Sequence, residues 1–138
     1  ERKVPAMAFF HMPPAEFKEA YEKMKLGDHS VIYEHGSVGE KNEYFGISSQ
    51  KPCFFEKAVD NGRLKWIFCG HDHLNTLSLT YRGIRMTYGM SIDYLGYSGI
   101  AKQYIQRGAT LIIHRPDGEV KIAMVPLTTV VSTRVRGA

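Results

Sequence analysis

The run LKWIFCGHDHLN, residues 64–75, decides how the rest of the chain is read. Its first six residues, Leu64 to Cys69, are largely apolar and too few for a helix, so they read as a buried strand that delivers the chain to a turn at Gly70. Just beyond, His71 and His73 stand at alternate positions, a spacing that can turn two imidazoles to one side of an extended segment. Neutral imidazole is the commonest metal ligand, and open α/β sheets place their sites at the carboxyl ends of strands. Nearer the start, Val4 to Phe10 (VPAMAFF) is a second short apolar run, read as another buried strand, and it ends at His11. Two parallel strands ending in histidine could present three nitrogens, those of His11, His71 and His73, to one point. Asp72 would point the other way, fixing the turn or a ligand's orientation rather than binding metal.

The segments between these strands supply the rest of a layered fold. Pro13-Pro14 stops the first strand and opens a helix over Ala15 to Lys25, on which Phe17, Tyr21 and Met24 form one apolar stripe. Gly27 to Pro52 is rich in Gly, Ser, Asp and Asn and reads as a long irregular connection, a length usually kept for function or disorder. Cys53 to Asn61 reads as a second helix capped by Gly62, with Phe54, Phe55 and Trp66 expected in the core. Beyond Gly70 the pattern changes to hairpins. Thr76 to Tyr81 and Ile84 to Tyr88 flank Arg82-Gly83, and Ala109 to Arg115 and Val120 to Leu127 flank Pro116-Asp117-Gly118. A Gly, Ser and Tyr-rich connection, Gly89 to Gly108, joins them and holds Tyr94, Tyr97 and Tyr104. The fold class expected is α/β (α+β), a mixed sheet with C-terminal hairpins.

Composition narrows the function. With 43% hydrophobic and 23% charged residues in a chain of 138, the protein is globular and has the length of one ordinary domain. The net charge of +4 is spread without a basic block, so no nucleic-acid partner is expected. No stretch approaches the ~18 apolar residues of a membrane helix. The two cysteines, Cys53 and Cys69, favour a reducing, cytoplasmic compartment over a disulfide scaffold.

The residues now in place carry a resemblance. FFHMP with its following helix, FCGHDHLN, the hairpin YRGIRMTYG and the stretch GYSG together resemble the C-terminal half of a calcineurin-like metallophosphoesterase, in the subgroup of purple-acid and Dcr2-like phosphatases. The resemblance covers nearly the whole chain. It implies half of a four-layer α/β/β/α sandwich, and hydrolysis of phosphate esters, monoesters first among them, by water activated at two metal ions (Mn, Fe or Zn). By the same resemblance, His11 and His71 share one metal and His73 serves its neighbour.

The chain also departs from that family. The family's Asp-x-His, bridging Gly-Asp and Gly-Asn-His motifs, the last carrying the general-acid histidine, belong upstream of His11 and none is present. The expectation is therefore that residues 1–138 are the C-terminal portion of one metallophosphoesterase domain, cut just before Glu1. Such a piece would hold no catalytic residue of its own, be inactive alone, and bind its missing N-terminal half or itself. The alternative is a non-catalytic or degenerate module that binds a partner or a single metal. Tyr88, Tyr97 and Glu40 are candidates for the substrate cleft. Arg82 and Arg85 could meet phosphate but read more simply as solvated turn residues, and His29 and His35 in the loop and His114 within a strand read as ordinary surface or core residues.

Overall fold

The computed structural model describes residues 4–47, 53–103 and 106–127, which form a mixed α/β fold in two compact units, 1–88 and 89–138. Glu1, Pro52 and Tyr104, named above, lie outside the described residues.

The first unit is built on a five-stranded sheet. Its strands are β1 (Ala6–Phe9), β2 (Val31–His35), β3 (Leu64–Cys69), β4 (Ser78–Tyr81) and β5 (Ile84–Tyr88), in the order β1-β3-β5-β4-β2. β1 pairs parallel with β3 and β3 parallel with β5, while β4 runs antiparallel to both β5 and β2. Four strands thus point the same way, and the carboxyl ends of β1, β3, β5 and β2 lie along one edge of the sheet. The β4–β5 hairpin turns through Arg82 at φ 50° and Gly83 at φ 78°. Two successive positive φ values give the turn whose twist matches its strands, and glycine carries the second at no steric cost.

Two helices complete the unit. α1 (Ala15–Lys25) starts after Pro14, with Glu16 in its first turn and Lys23 and Lys25 in its last, the charge order its dipole favours. α2 (Phe54–Asn61) ends at Gly62. Phe17 and Ala20 of α1 and Phe55 and Ala58 of α2 join one apolar cluster with Ile67, Cys69, Leu79, Tyr81, Ile84, Met86 and Tyr88. The sheet members alternate along each strand and meet in register, as Met86 does with both Ile67 and Leu79, so both helices share one face. The other face carries a polar network. Ser78 and Thr87 hydroxyls lie 2.7 Å apart, Arg85 donates to Ser78 at 3.0 Å, and Thr80 donates to Glu34 at 2.6 Å.

Three expectations need correction. The segment from Gly27 is not irregular throughout, because Val31–His35 forms β2; Ile32 is 58% and Tyr33 55% exposed, so backbone pairing with β4 rather than side-chain burial makes the strand. β1 is present but is an edge strand, and Phe9 is 65% exposed rather than buried. Of the residues placed in the core, Phe55 is buried, whereas Phe54 is exposed and Trp66 half-buried. Neighbouring residues of a helix lie about 100° apart, so Phe54 and Phe55 cannot both face the sheet.

The second unit is a hairpin with its lead-in. β6 (Gly108–His114) pairs antiparallel with β7 (Val120–Pro126), and the turn closes with Gly118 N–H donating to the Arg115 carbonyl at 2.9 Å. The connection before it contains a short 3-10 turn, Ile100–Gln103. Arg107 is buried and donates from Nε to the Asp93 carbonyl at 2.6 Å, tying the connection to the start of β6. Among the described residues no helix is long and apolar enough to cross a membrane, and Cys53 and Cys69 are both free thiols.

Candidate functional site

The parallel pairing of β1 and β3 continues past their ends. Phe10 N–H donates to the Phe68 carbonyl at 2.9 Å, and Gly70 N–H donates to the His11 carbonyl at 3.0 Å. Those two bonds set His11 and His71 side by side. His11 Nε2 and His71 Nδ1 lie 3.2 Å apart, with ring centroids 5.1 Å apart and planes at 81°. His11 is exposed and His71 half-buried, so the pair opens to solvent.

His71 reaches this position through an uncommon backbone conformation, φ 69°. A left-handed conformation at a residue with a side chain costs about 1–3 kcal/mol and persists only where its surroundings hold it. The turn behind it supplies that hold. Asp72 N–H donates to the Gly70 carbonyl at 2.9 Å, and Asn75 N–H donates to the Asp72 carbonyl at 3.1 Å. The Asp72 side chain is buried, and its Oδ2 accepts from the Tyr88 hydroxyl at 2.5 Å and from Gly46 N–H at 2.9 Å. Burial, then the hydrogen bond to Asp72, push the Tyr88 hydroxyl well above the ordinary phenol range, so it serves as a donor. Burial likewise pushes the Cys69 thiol up, which keeps it protonated.

The other residues singled out from the sequence fall as follows. His73 is half-buried on the same turn. Among the described residues no third His, Cys, Asp or Glu joins any pair in a cluster able to hold a metal. Glu40 accepts from Leu74 N–H at 3.0 Å and so ties its loop to the histidine turn. Tyr88 lies in the core, its ring stacked on Phe17 at 4.9 Å, while Tyr97 belongs to the second unit and is exposed. Arg82 pairs with Glu56 at 2.5 Å and Arg85 with Glu34 at 3.4 Å, so both arginines are engaged. The sequence assigns no role at the site to Gly46, one of the loop glycines, or to Asn75, which lacks a following histidine; Asn75 bonds the backbone of Gly39, Glu40 and Tyr44 through its side chain.

The donor chemistry of the pair suits a divalent cation. Two nitrogens each 2.0–2.1 Å from a tetrahedral cation are about 3.3–3.4 Å apart, close to the separation of 3.2 Å found here. In the absence of metal, the same separation is that of one ring donating N–H to the other's lone pair. A separation of this size is compatible with two imidazoles meeting one cation.

Comparison with known proteins points in one direction. This chain is 28% identical over 93 residues to "Probable inactive purple acid phosphatase 29" of Arabidopsis thaliana, a match covering 67% of the chain and 21% of that protein. "Probable inactive purple acid phosphatase 14" from the same organism is 25% identical over 103 residues, covering 70% and 21%, and "Probable inactive purple acid phosphatase 28" is 29% identical over 93 residues, covering 67% and 20%. The likeness is to purple acid phosphatase-like proteins. The chain spans about a fifth of the length of these curated relatives. No family model and no solved structure matches it.

Proposed function

We propose that this chain is the C-terminal, metal-binding portion of a purple-acid-phosphatase-like metallophosphoesterase domain and that it does not hydrolyse phosphate esters by itself. The observation that carries this reading is the 3.2 Å approach of His11 Nε2 to His71 Nδ1 at the carboxyl ends of adjacent parallel strands. In this reading His11 and His71 hold one cation, Mn, Fe or Zn, and His73 serves its neighbour in the two-metal centre of the complete domain. Cations bound there supply Lewis-acid polarisation of a phosphoryl oxygen. The chain's own residues do the holding. His71 is oriented by its turn, His11 closes the chelate from the next strand, and Tyr88 keeps its proton and holds Asp72 away from the cation.

Inactivity of the chain alone follows from its donors. Two imidazoles carry no negative charge, and the chain holds no match to the family's bridging carboxylate or general-acid histidine. The relatives' names, each containing "inactive", support the same side. The complete domain's substrate would be a phosphate monoester.

The partner proposed is the N-terminal portion of that domain, or a second copy of this chain in its place. The open edge of β1 supports this, together with the groove that Ala6 and Ala8 form with Phe54, Ala58 and Leu64. The free thiols support a reducing, cytoplasmic setting.

Titration with Co(II) or Zn(II), followed by calorimetry and the Co(II) absorption spectrum, tests the reading. One equivalent should bind weakly to the wild-type chain and be lost in both His11→Ala and His71→Ala. An aryl phosphate should turn over no faster than in buffer. Metal binding indifferent to both substitutions, or turnover by the chain that His71→Ala abolishes, would defeat the proposal.

A further inference from the structure

His71 has a ring edge facing His11 and an opposite edge facing something else, and that second surface is the segment 36–47. A Cβ built on Gly46 would lie 1.9 Å from His71 Cδ2, 2.4 Å from its Nε2 and 2.8 Å from Asp72 Oδ1. No side chain fits in that space. The Gly46 backbone therefore closes directly on the Cδ2–Nε2 edge of the imidazole and leaves the Nδ1 edge turned to His11.

The segment is laced to the histidine turn along its length. Ser37 N–H donates to the Thr76 hydroxyl at 3.2 Å, and Thr76 N–H returns a bond to the Ser37 carbonyl at 2.9 Å. Asn75, fully buried, accepts from Gly39 N–H at 3.0 Å and Glu40 N–H at 3.1 Å through Oδ1, and donates from Nδ2 to the Tyr44 carbonyl at 3.1 Å. Leu74 N–H is answered by Glu40, and Gly46 N–H by Asp72. The contacts reach inward as well. Asp72 Oδ2 takes the hydroxyl of Tyr88, whose ring stacks on Phe17 of α1, so the turn is anchored in the helix-covered core.

We infer that residues 36–47 form a strap that positions the His71 imidazole, with Asp72 as its anchor and Gly46 as its point of contact. The inference rests on the reading of His11 and His71 as a cation-binding pair. Gly46, Tyr88 and Asp72 are then positioning residues, none of which touches the cation. Ligand-orienting neighbours of this kind are worth 10–100-fold in metal affinity when altered. The strap also explains how a non-glycine residue is kept in the left-handed conformation at position 71, since bonds on both sides of His71 must break before its backbone can relax.

The test compares Gly46→Ala and Tyr88→Phe with the wild-type chain in two measurements. Co(II) titration should give affinities about 10–100-fold weaker in both variants. In the metal-free proteins, long-range ¹H–¹⁵N spectra of the imidazoles should show the His71 nitrogens shifted in Gly46→Ala while His29 and His114 stay unmoved. Asp72→Asn, which keeps an acceptor for Gly46 N–H, should fall between. If Gly46→Ala misfolds, Tyr88→Phe, which removes one hydroxyl, still carries the measurement. A wild-type chain that binds no cation would defeat the cation reading alone, because the ring spectra still decide the strap. Unchanged His71 resonances in both Gly46→Ala and Tyr88→Phe would overturn the strap.

Discussion

The centre of the sheet and its margins are built on different terms, and the candidate site takes one histidine from each. At the centre, Ile67, Leu79, Met86 and Tyr88 are wholly buried. At the margins, Phe9 of β1 and Ile32 of β2 are more exposed than buried, and these strands hold their place mainly through one backbone ladder each. His71 follows central β3 and is clamped by its turn and strap. His11 follows edge strand β1 and projects into solvent. Half of the pair is therefore held from several sides and half mainly from one.

The largest expected effects are in stability. Met86→Ala should cost about 2–5 kcal/mol, because it leaves a cavity between Ile67 and Leu79 that the flanking strands cannot collapse into. Phe9→Ala should cost about 0.5–1.5 kcal/mol, the scale of its single stacking contact with Phe68 at 5.1 Å. Denaturant unfolding midpoints for the two variants measure the contrast. Equal losses would show that β1 is as much a part of the core as β5.

Between these in size lies Tyr88→Phe, beside the candidate site. It keeps the ring on Phe17 and removes only the hydroxyl that meets Asp72. A hydrogen bond to a charged acceptor is worth about 1.5–3 kcal/mol, so the variant should unfold measurably earlier while its core packing stays intact. A midpoint unchanged from wild type would mean that Asp72 finds another donor, and that the turn depends less on the core than its geometry suggests.

The same division explains what the sequence disclosed. Strands β3, β4 and β5 and both helices are readable because burial leaves a pattern in them: Ile67, Phe68 and Cys69 at the end of LKWIFC are buried and apolar, and Phe17 and Tyr21 recur because α1 has one face to cover. β2 escaped because only Val31 of its five residues is buried, so the strand leaves little trace in hydrophobicity. The His11 and His71 pairing was legible from two strands ending in histidine. The strap was not, because it is made of backbone donors on 36–47 and of side chains, Asp72 and Asn75, whose partners lie some 30 residues away along the chain. No local pattern encodes which backbone N–H a distant carboxylate will accept from.

The smallest expected effect lies at the far margin, where β2 ends in His35. Its Nδ1 lies 3.2 Å from Arg85 Nη2 and, since guanidinium can only donate, the ring accepts there and must be neutral. Its Nε2 is buried with no partner among the described residues. Burial first, and then the Arg85 charge, hold the imidazole below its ordinary pKa, with Glu34 opposing. The unfolded chain therefore binds the proton at higher pH than the folded one, and stability rises with pH across that interval. Folding is unaffected by this group above the ordinary imidazole pKa of about 6.5 and loses stability as the pH falls from there through the lowered value. Thermal melts at pH 7.5 and 5.5 should show a smaller acid loss in His35→Gln than in wild type, the difference isolating His35 from the other histidines. An identical loss in both proteins would mean that β2 lets His35 swing out to water on protonation, making that margin looser still than its pairing with β4 implies.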